Sequence, residues 1–325
     1  GPRRGSRDTV NTNVLKLAGK TLALVESGPF PFELDRNLDT VASTNLQGTL
    51  TAPLTAHPHE DPKTGEWHAI TYESETQDTV WHVAINRAGE VIAERPITLR
   101  DGPSIHECSI TDDYVIVFDL PVTISLPTLA QGYNFPYRWN KAHPARVGLL
   151  PRRGDVDEII WCDVDPCYVF HVANSFQNDD GSVTIDCCAY ESMFAHGPDG
   201  PNGVPCGFER WRVDPKTQKV NRSAIDASPQ EFPRVDERRF GQPYRHAWIV
   251  SQPNETVSNF VAENALYHHD LETGEKRSYS FGPDLVGGEF VFIPRAPDAE
   301  EADGWLMGLV IDAKNDTTQL QFFQA

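Results

Sequence analysis

Apolar residues along this chain come in short runs without helical spacing. WHAITYE, TVWHVAIN, YVIVFDLPV, EIIWCDV, SVTIDCCAY and FERWRVD are rich in β-branched and aromatic residues. Turn-forming clusters separate such runs, at residues 61–65 (DPKTG), 86–89 (NRAG), 179–181 (DDG), 214–217 (DPKT) and 270–274 (DLETG). Glycine there supplies positive φ, and Asp or Asn side chains bond the backbone two residues on. Runs joined by tight turns predict strands in hairpins, and the lack of βαβ alternation predicts an all-β fold. A sheet with this many strands must curl, split or close. Radial repetition of four-stranded blades, roughly 40–50 residues each, leaves few exposed edges and fits about six to seven blades into this length. No break in the pattern marks a domain boundary, so residues 1–325 are expected to form one β-propeller domain. Residues 197–207, rich in Pro and Gly, and the acidic residues 298–303 are expected to be surface loops.

Charge and cysteine content narrow the partners. Asp and Glu number 47 against 28 Lys and Arg, a formal net charge of −19. Such a surface repels phosphate, which argues against nucleic acid and against adhesion to anionic lipid by charge. No apolar run approaches the roughly 20 residues that span a bilayer. The six cysteines form no CxxC pair, and Cys187 and Cys188 are adjacent on a predicted strand, pointing to opposite faces. They are expected to be buried free thiols of a reducing, cytoplasmic compartment.

Three histidines carry the candidate chemistry. His57 lies in TAHPHEDPKTGE, His106 in IHECSITDDYVIVFDLP and His171 in YVFHVANSFQNDDGS. Local metal sites such as zinc fingers draw their ligands from one short stretch. Wide-set histidines, each opening or closing a β-rich segment, instead suggest a metal on the axis of a large closed sheet. Imidazole alone does not choose among Fe, Zn, Cu and Ni.

The surroundings of these histidines resemble the carotenoid cleavage oxygenase family over nearly the whole chain. NTNVLKLAGKTLALVESGPFPFEL is similar to the family's opening, and the three histidine segments to its iron-histidine motifs. EFPRVDERRFGQPYRHAW and GGEFVFIPR are similar to its two later glutamate motifs. The resemblance implies a seven-bladed β-propeller with loops capping one face, one Fe(II) held by His57, His106 and His171, and O2 as co-substrate. It implies cleavage of a C=C bond of carotenoids or apocarotenoids to two carbonyl products. Glu26, Glu231 and Glu289 would accept hydrogen bonds from ligand histidines, and the methyl of Thr12 would sit beside the metal. The family's fourth histidine motif has no counterpart before LQFFQA, and its upstream segment has none before GPRRG. The chain is therefore expected to be the interior of a longer protein, with the closing strands of the propeller missing. His196 lacks that motif's context and reads as a surface residue.

A polyene needs an apolar path, and Phe30, Phe32 and Phe170 are its candidate lining. Residues 120–140 carry Leu126, Leu129, Phe135 and Tyr137 with no charge before Arg138. Family members use the equivalent region to touch membranes, so shallow, charge-independent membrane contact is expected. Two other readings stay open. One is a stilbene-type alkene dioxygenase, which would need a polar pair such as Tyr and Lys near the metal. The other is a non-catalytic propeller used for binding.

Overall fold

The computed structural model describes residues 10–73, 76–133, 136–197, 200–252 and 264–325. The chain divides into two compact units, Gly1–Asp165 and Pro166–Ala325. Both are built from antiparallel strands in chain order, as the turn spacing predicts.

In the first unit, β1 (Asn13–Leu17), β2 (Lys20–Leu24), β3 (Phe32–Leu34) and β4 (Thr40–Ser43) form one sheet. A second contains β5 (His59–Glu60), β6 (Trp67–Tyr72), β7 (Thr79–Ile85) and β8 (Val91–Thr98). A third row begins with β9 (Ser109–Ile110) and β10 (Tyr114–Asp119). It is interrupted by the hairpin of β11 (Val122–Ile124) and β12 (Tyr137–Trp139), between which lies the helix α1 (Leu126–Ala130). It resumes with β13 (Arg146–Pro151) and β14 (Ile160–Asp163). Leu17, Leu22, Leu24, Leu54, Val83 and Ile85 fill the space between the first two sheets. Ile70, Tyr72, Val80, Ile105, Val115 and Leu150 fill the next.

The second unit repeats the plan. Its strands β15 (Tyr168–Gln177), β16 (Val183–Ser192), β17 (Val204–Asp214) and β18 (Lys219–Asp226) form one meander. β19 (Gln230–Val235), β20 (His246–Ser251), β21 (Ala265–Asp270) and β22 (Glu275–Ser280) form the next, and β23 (Leu285–Pro294), β24 (Gly304–Asp312) and β25 (Thr317–Gln324) the last. Phe208, Ala247 and Ile249 belong to one core cluster, and Trp248, Phe281, Phe290 and Val310 to another. Successive sheets thus bury apolar side chains against their neighbours, as the face-to-face packing of twisted sheets requires.

The predicted turns fall where expected. Between β5 and β6, the Asp61 carboxylate accepts from the Lys63 N–H at 2.9 Å and the Thr64 hydroxyl at 2.8 Å, while Gly65 turns at φ +68°. One loop expectation is corrected. Residues 204–207 open β17 and pair with β16, and Gly207, at φ +93°, lets β18 run so close on the other side that a Cβ there would lie 2.3 Å from the Asp226 carbonyl oxygen. Residues 298–303 do form a loop, and His196 is exposed. All six cysteines are free, and all but the half-buried Cys206 are buried. Among the described residues, no helix is long and apolar enough to cross a membrane.

Candidate metal centre

His57 and His106 stand on loops at strand entrances. His57 lies just before β5, its loop tied to β1 by the Asn13 side-chain amide, which donates to the Ala56 carbonyl at 2.8 Å. His106 precedes β9. Their rings are 4.6 Å apart between centroids and tilted by 51°. The Nδ1–H of His106 donates to Glu26, two residues beyond the end of β2. The other oxygen of Glu26 accepts from the Tyr72 hydroxyl, which also lies 2.8 Å from the Tyr137 hydroxyl and 3.4 Å from the Ser104 hydroxyl. Burial, and then the Glu26 carboxylate, push the Tyr137 phenol well above its ordinary pKa.

His171 sits within β15, where the pairing with β16 shifts twice, between Val169 and Val172 and between Val172 and Asn174. Bulges of this kind bend a strand and re-aim a side chain. Glu231 faces a second irregularity, between Glu231 and Arg234 in β19, where Phe232 takes φ +59°, a left-handed conformation uncommon outside glycine. One oxygen of Glu231 accepts from the His171 Nδ1–H at 2.8 Å and from the Phe232 N–H at 2.5 Å. Glu231 is only 1% exposed, so two donors on one oxygen offset the cost of burying its charge. The Phe232 ring lies 5.1 Å from the His171 ring.

In the first unit the His57 and His106 rings stand together, and in the second unit His171 is held by a carboxylate in the same way as His106. The donor set fits a metal. On His106 and His171 a carboxylate holds the Nδ1 proton, which leaves Nε2 with its lone pair in the neutral tautomer that ligates. Neutral imidazoles of this kind suit first-row transition metals.

The retinal pigment epithelial membrane protein family model matches residues 2–325. A carotenoid cleavage oxygenase of Mycobacterium tuberculosis is 34% identical, an alignment covering 97% of this chain and 72% of the relative. The chain belongs to the carotenoid cleavage oxygenase family. An apocarotenoid-15,15'-oxygenase of Synechocystis is 29% identical over 98% of this chain and 68% of its own length. The solved structure of cobalt-substituted Synechocystis ACO superposes with a TM-score of 0.85 at 28% identity, covering 98% of this chain and 69% of that one. Lignostilbene dioxygenase of Pseudomonas brassicacearum superposes at 0.86 with 27% identity, covering 97% and 70%. The fold is accordingly all-β and propeller-like.

Other residues singled out as family positions fall in varied places. Glu289 lies at a bulge in β23, between Gly287 and Phe290, and its carboxylate is 3.1 Å from Arg234 Nε. Thr12 is exposed, its hydroxyl donating to Asn11 Oδ1 at 3.4 Å. Phe30 packs against the leucine cluster between the first two sheets, and Phe32 is half-buried in β3. Phe170 makes edge contacts with Tyr168 and Tyr190, with ring centroids at 4.9 and 5.9 Å, and lies 6.2 Å from the His171 ring. Leu126 and Leu129, on α1, are 54% and 40% exposed. Phe135 lies outside the described residues. Tyr137 is a correction. It was expected on an exposed apolar patch, but β12 pairs it with Ile124, and its hydroxyl turns inward to Tyr72.

Sequence reasoning missed Tyr72, Ser104 and Phe232. Tyr72 ends an ordinary apolar strand, and Phe232 reads as core. Nothing in either local pattern signals contact with Glu26 or His171.

Proposed function

We propose that this oxygenase of the carotenoid cleavage family holds one Fe(II) on His57, His106 and His171 and uses O2 to split a C=C bond of a carotenoid or apocarotenoid into two carbonyl products. The carboxylate-held imidazoles of His106 and His171, each with a ring nitrogen left to ligate, in a chain of this family carry this reading. When bound, ferrous iron supplies an open coordination position and electron density for O2 chemistry.

The chain's own residues supply orientation and surroundings. Glu231 fixes the tautomer and ring plane of His171, and Glu26 does the same for His106. Tyr72 locks the second oxygen of Glu26, so that carboxylate cannot swing away from its histidine. Phe170 and Phe232 give the His171 side of the centre an apolar lining suited to a hydrocarbon chain. We read the serial meanders as blades of one seven-bladed propeller. We further propose that Leu126 and Leu129 make shallow membrane contact, supported by their exposure on a helix without charge. The six free thiols support a cytoplasmic location.

The test is chromatography of products after the intact, iron-loaded protein meets a panel of carotenoids, apocarotenoids and stilbenes in air. Paired carbonyl fragments from a polyene are expected. Cleavage confined to stilbenes would favour the second reading, which the likeness to lignostilbene dioxygenase keeps open. An absence of oxygen-dependent products throughout would refute both.

A further inference from the structure

We propose that the buried His59–Glu107 pair is a positioning clamp that fixes the loops carrying His57 and His106 at the spacing a shared ion needs. The inference rests on the metal-centre reading above and deepens it.

His59 Nε2 lies 2.8 Å from Glu107 Oε1, and the two residues are 5% and 9% exposed. His59 stands two residues after His57, and Glu107 directly follows His106. Each candidate ligand therefore has one half of the same pair as its near neighbour. The two loops belong to different sheets. β5 pairs with β6, placing His59 opposite His68, and β9 pairs with β10. Both strands are only two residues long, so backbone ladders hold each entrance weakly. The side-chain bond joins them across a separation of 48 residues in sequence.

A carboxylate this buried is held strongly and directionally by its donor, because little water competes. Ligand distances around a metal tolerate deviations of only about 0.2 Å. A rigid link one and two residues from the ligands removes the freedom that would otherwise be lost on binding the ion. His59 and Glu107 need not touch the metal to do this.

The same unit contains an internal control. His143 Nε2 lies 2.7 Å from Asp119 Oδ1, both side chains fully buried, with Arg146 on the other Asp119 oxygen. His143 differs from His59 in facing a second carboxylate, Asp101, 3.0 Å from its Nδ1, but this buried histidine–carboxylate contact is adjacent in sequence to none of the three histidines.

The experiment is anaerobic titration of the intact, metal-free protein with Co2+, read by its visible ligand-field bands, for wild type, Glu107→Ala, Glu107→Asp and Asp119→Asn. Circular dichroism and urea midpoints report folding. Glu107→Ala should bind Co2+ about 10–100-fold more weakly, with altered bands, as supporting partners of ligands typically do. Glu107→Asp, which keeps the charge but shortens the reach, should fall between. It replaces the alanine variant should that one not fold. Asp119→Asn should lose stability yet keep wild-type affinity and bands. Wild-type affinity and bands in the Glu107 variants would overturn the clamp, as would an equal loss of affinity in Asp119→Asn. Failure of wild type to take up Co2+ would instead overturn the metal centre itself.

Discussion

Mild acid should loosen this protein through a pair of buried histidines that are not among the candidate ligands. His68 and His82 are 2% and 0% exposed and lie on the paired strands β6 and β7. Arg95 Nε–H donates to His82 Nδ1 at 3.1 Å, and an arginine can only donate. His82 must therefore carry its proton on Nε2 and give it to His68 Nδ1, 3.0 Å away. That leaves the His68 proton on Nε2, facing Glu66 at 3.8 Å. The chain runs in one direction and has no place for another proton. Burial first, then the nearby Arg152, lower the His68 pKa to about 3, and burial with His68 and Arg95 lowers that of His82 too. The folded value lies below the unfolded one, so the unfolded chain binds more protons between about pH 3 and the ordinary imidazole value of 6.5. Stability is at its full value above that ordinary pKa and is lost progressively as pH falls toward 3. At about pH 5, holding His68 neutral costs the fold about 2 kcal/mol relative to neutral pH, and His82 adds in the same sense. Urea unfolding at about pH 7.5 and about pH 5 should show this loss in wild type. His68→Gln, which keeps an acceptor for His82 but does not titrate, should show a pH dependence smaller by about 2 kcal/mol. An identical pH dependence in the variant would refute the assignment.

Single replacements His57→Ala, His106→Ala and His171→Ala should each abolish retention of metal through desalting, and a variant that keeps its metal removes that residue from the ligand set. Glu231→Gln keeps an acceptor for His171 but loses the charge, so metal affinity measured by competition should fall about 10–100-fold with the fold intact. An unchanged affinity would contradict its role. Leu126→Asp combined with Leu129→Asp should reduce co-sedimentation of the intact protein with neutral liposomes. Equal binding would end the case for membrane contact through α1.

Much of the fold was legible because hairpin chemistry is local. Asp61, Asn86 and Asp270 each accept from the backbone of the turn they open, and those bonds lie within a few residues. The three histidines were legible from their motifs, and Glu26 and Glu231 from theirs. What escaped was set by long-range pairing. Tyr137 read as exposed because its segment is apolar, and only its register with Ile124 turns it toward Tyr72. Glu231 stood out only through the motif resemblance and not from its own neighbours SPQEFPR, because its burial depends on the irregular pairing of β19 with β20. His59 and Glu107 were visible beside two candidate ligands, but only folding reveals that they meet.

X-ray absorption at the iron edge of the anaerobically loaded intact protein tests the central claim most directly. Three or more imidazole scatterers at roughly the 2.0–2.1 Å of metal–nitrogen bonds are predicted. A shell made of oxygen alone, or one unchanged in the His171→Ala variant, would contradict it.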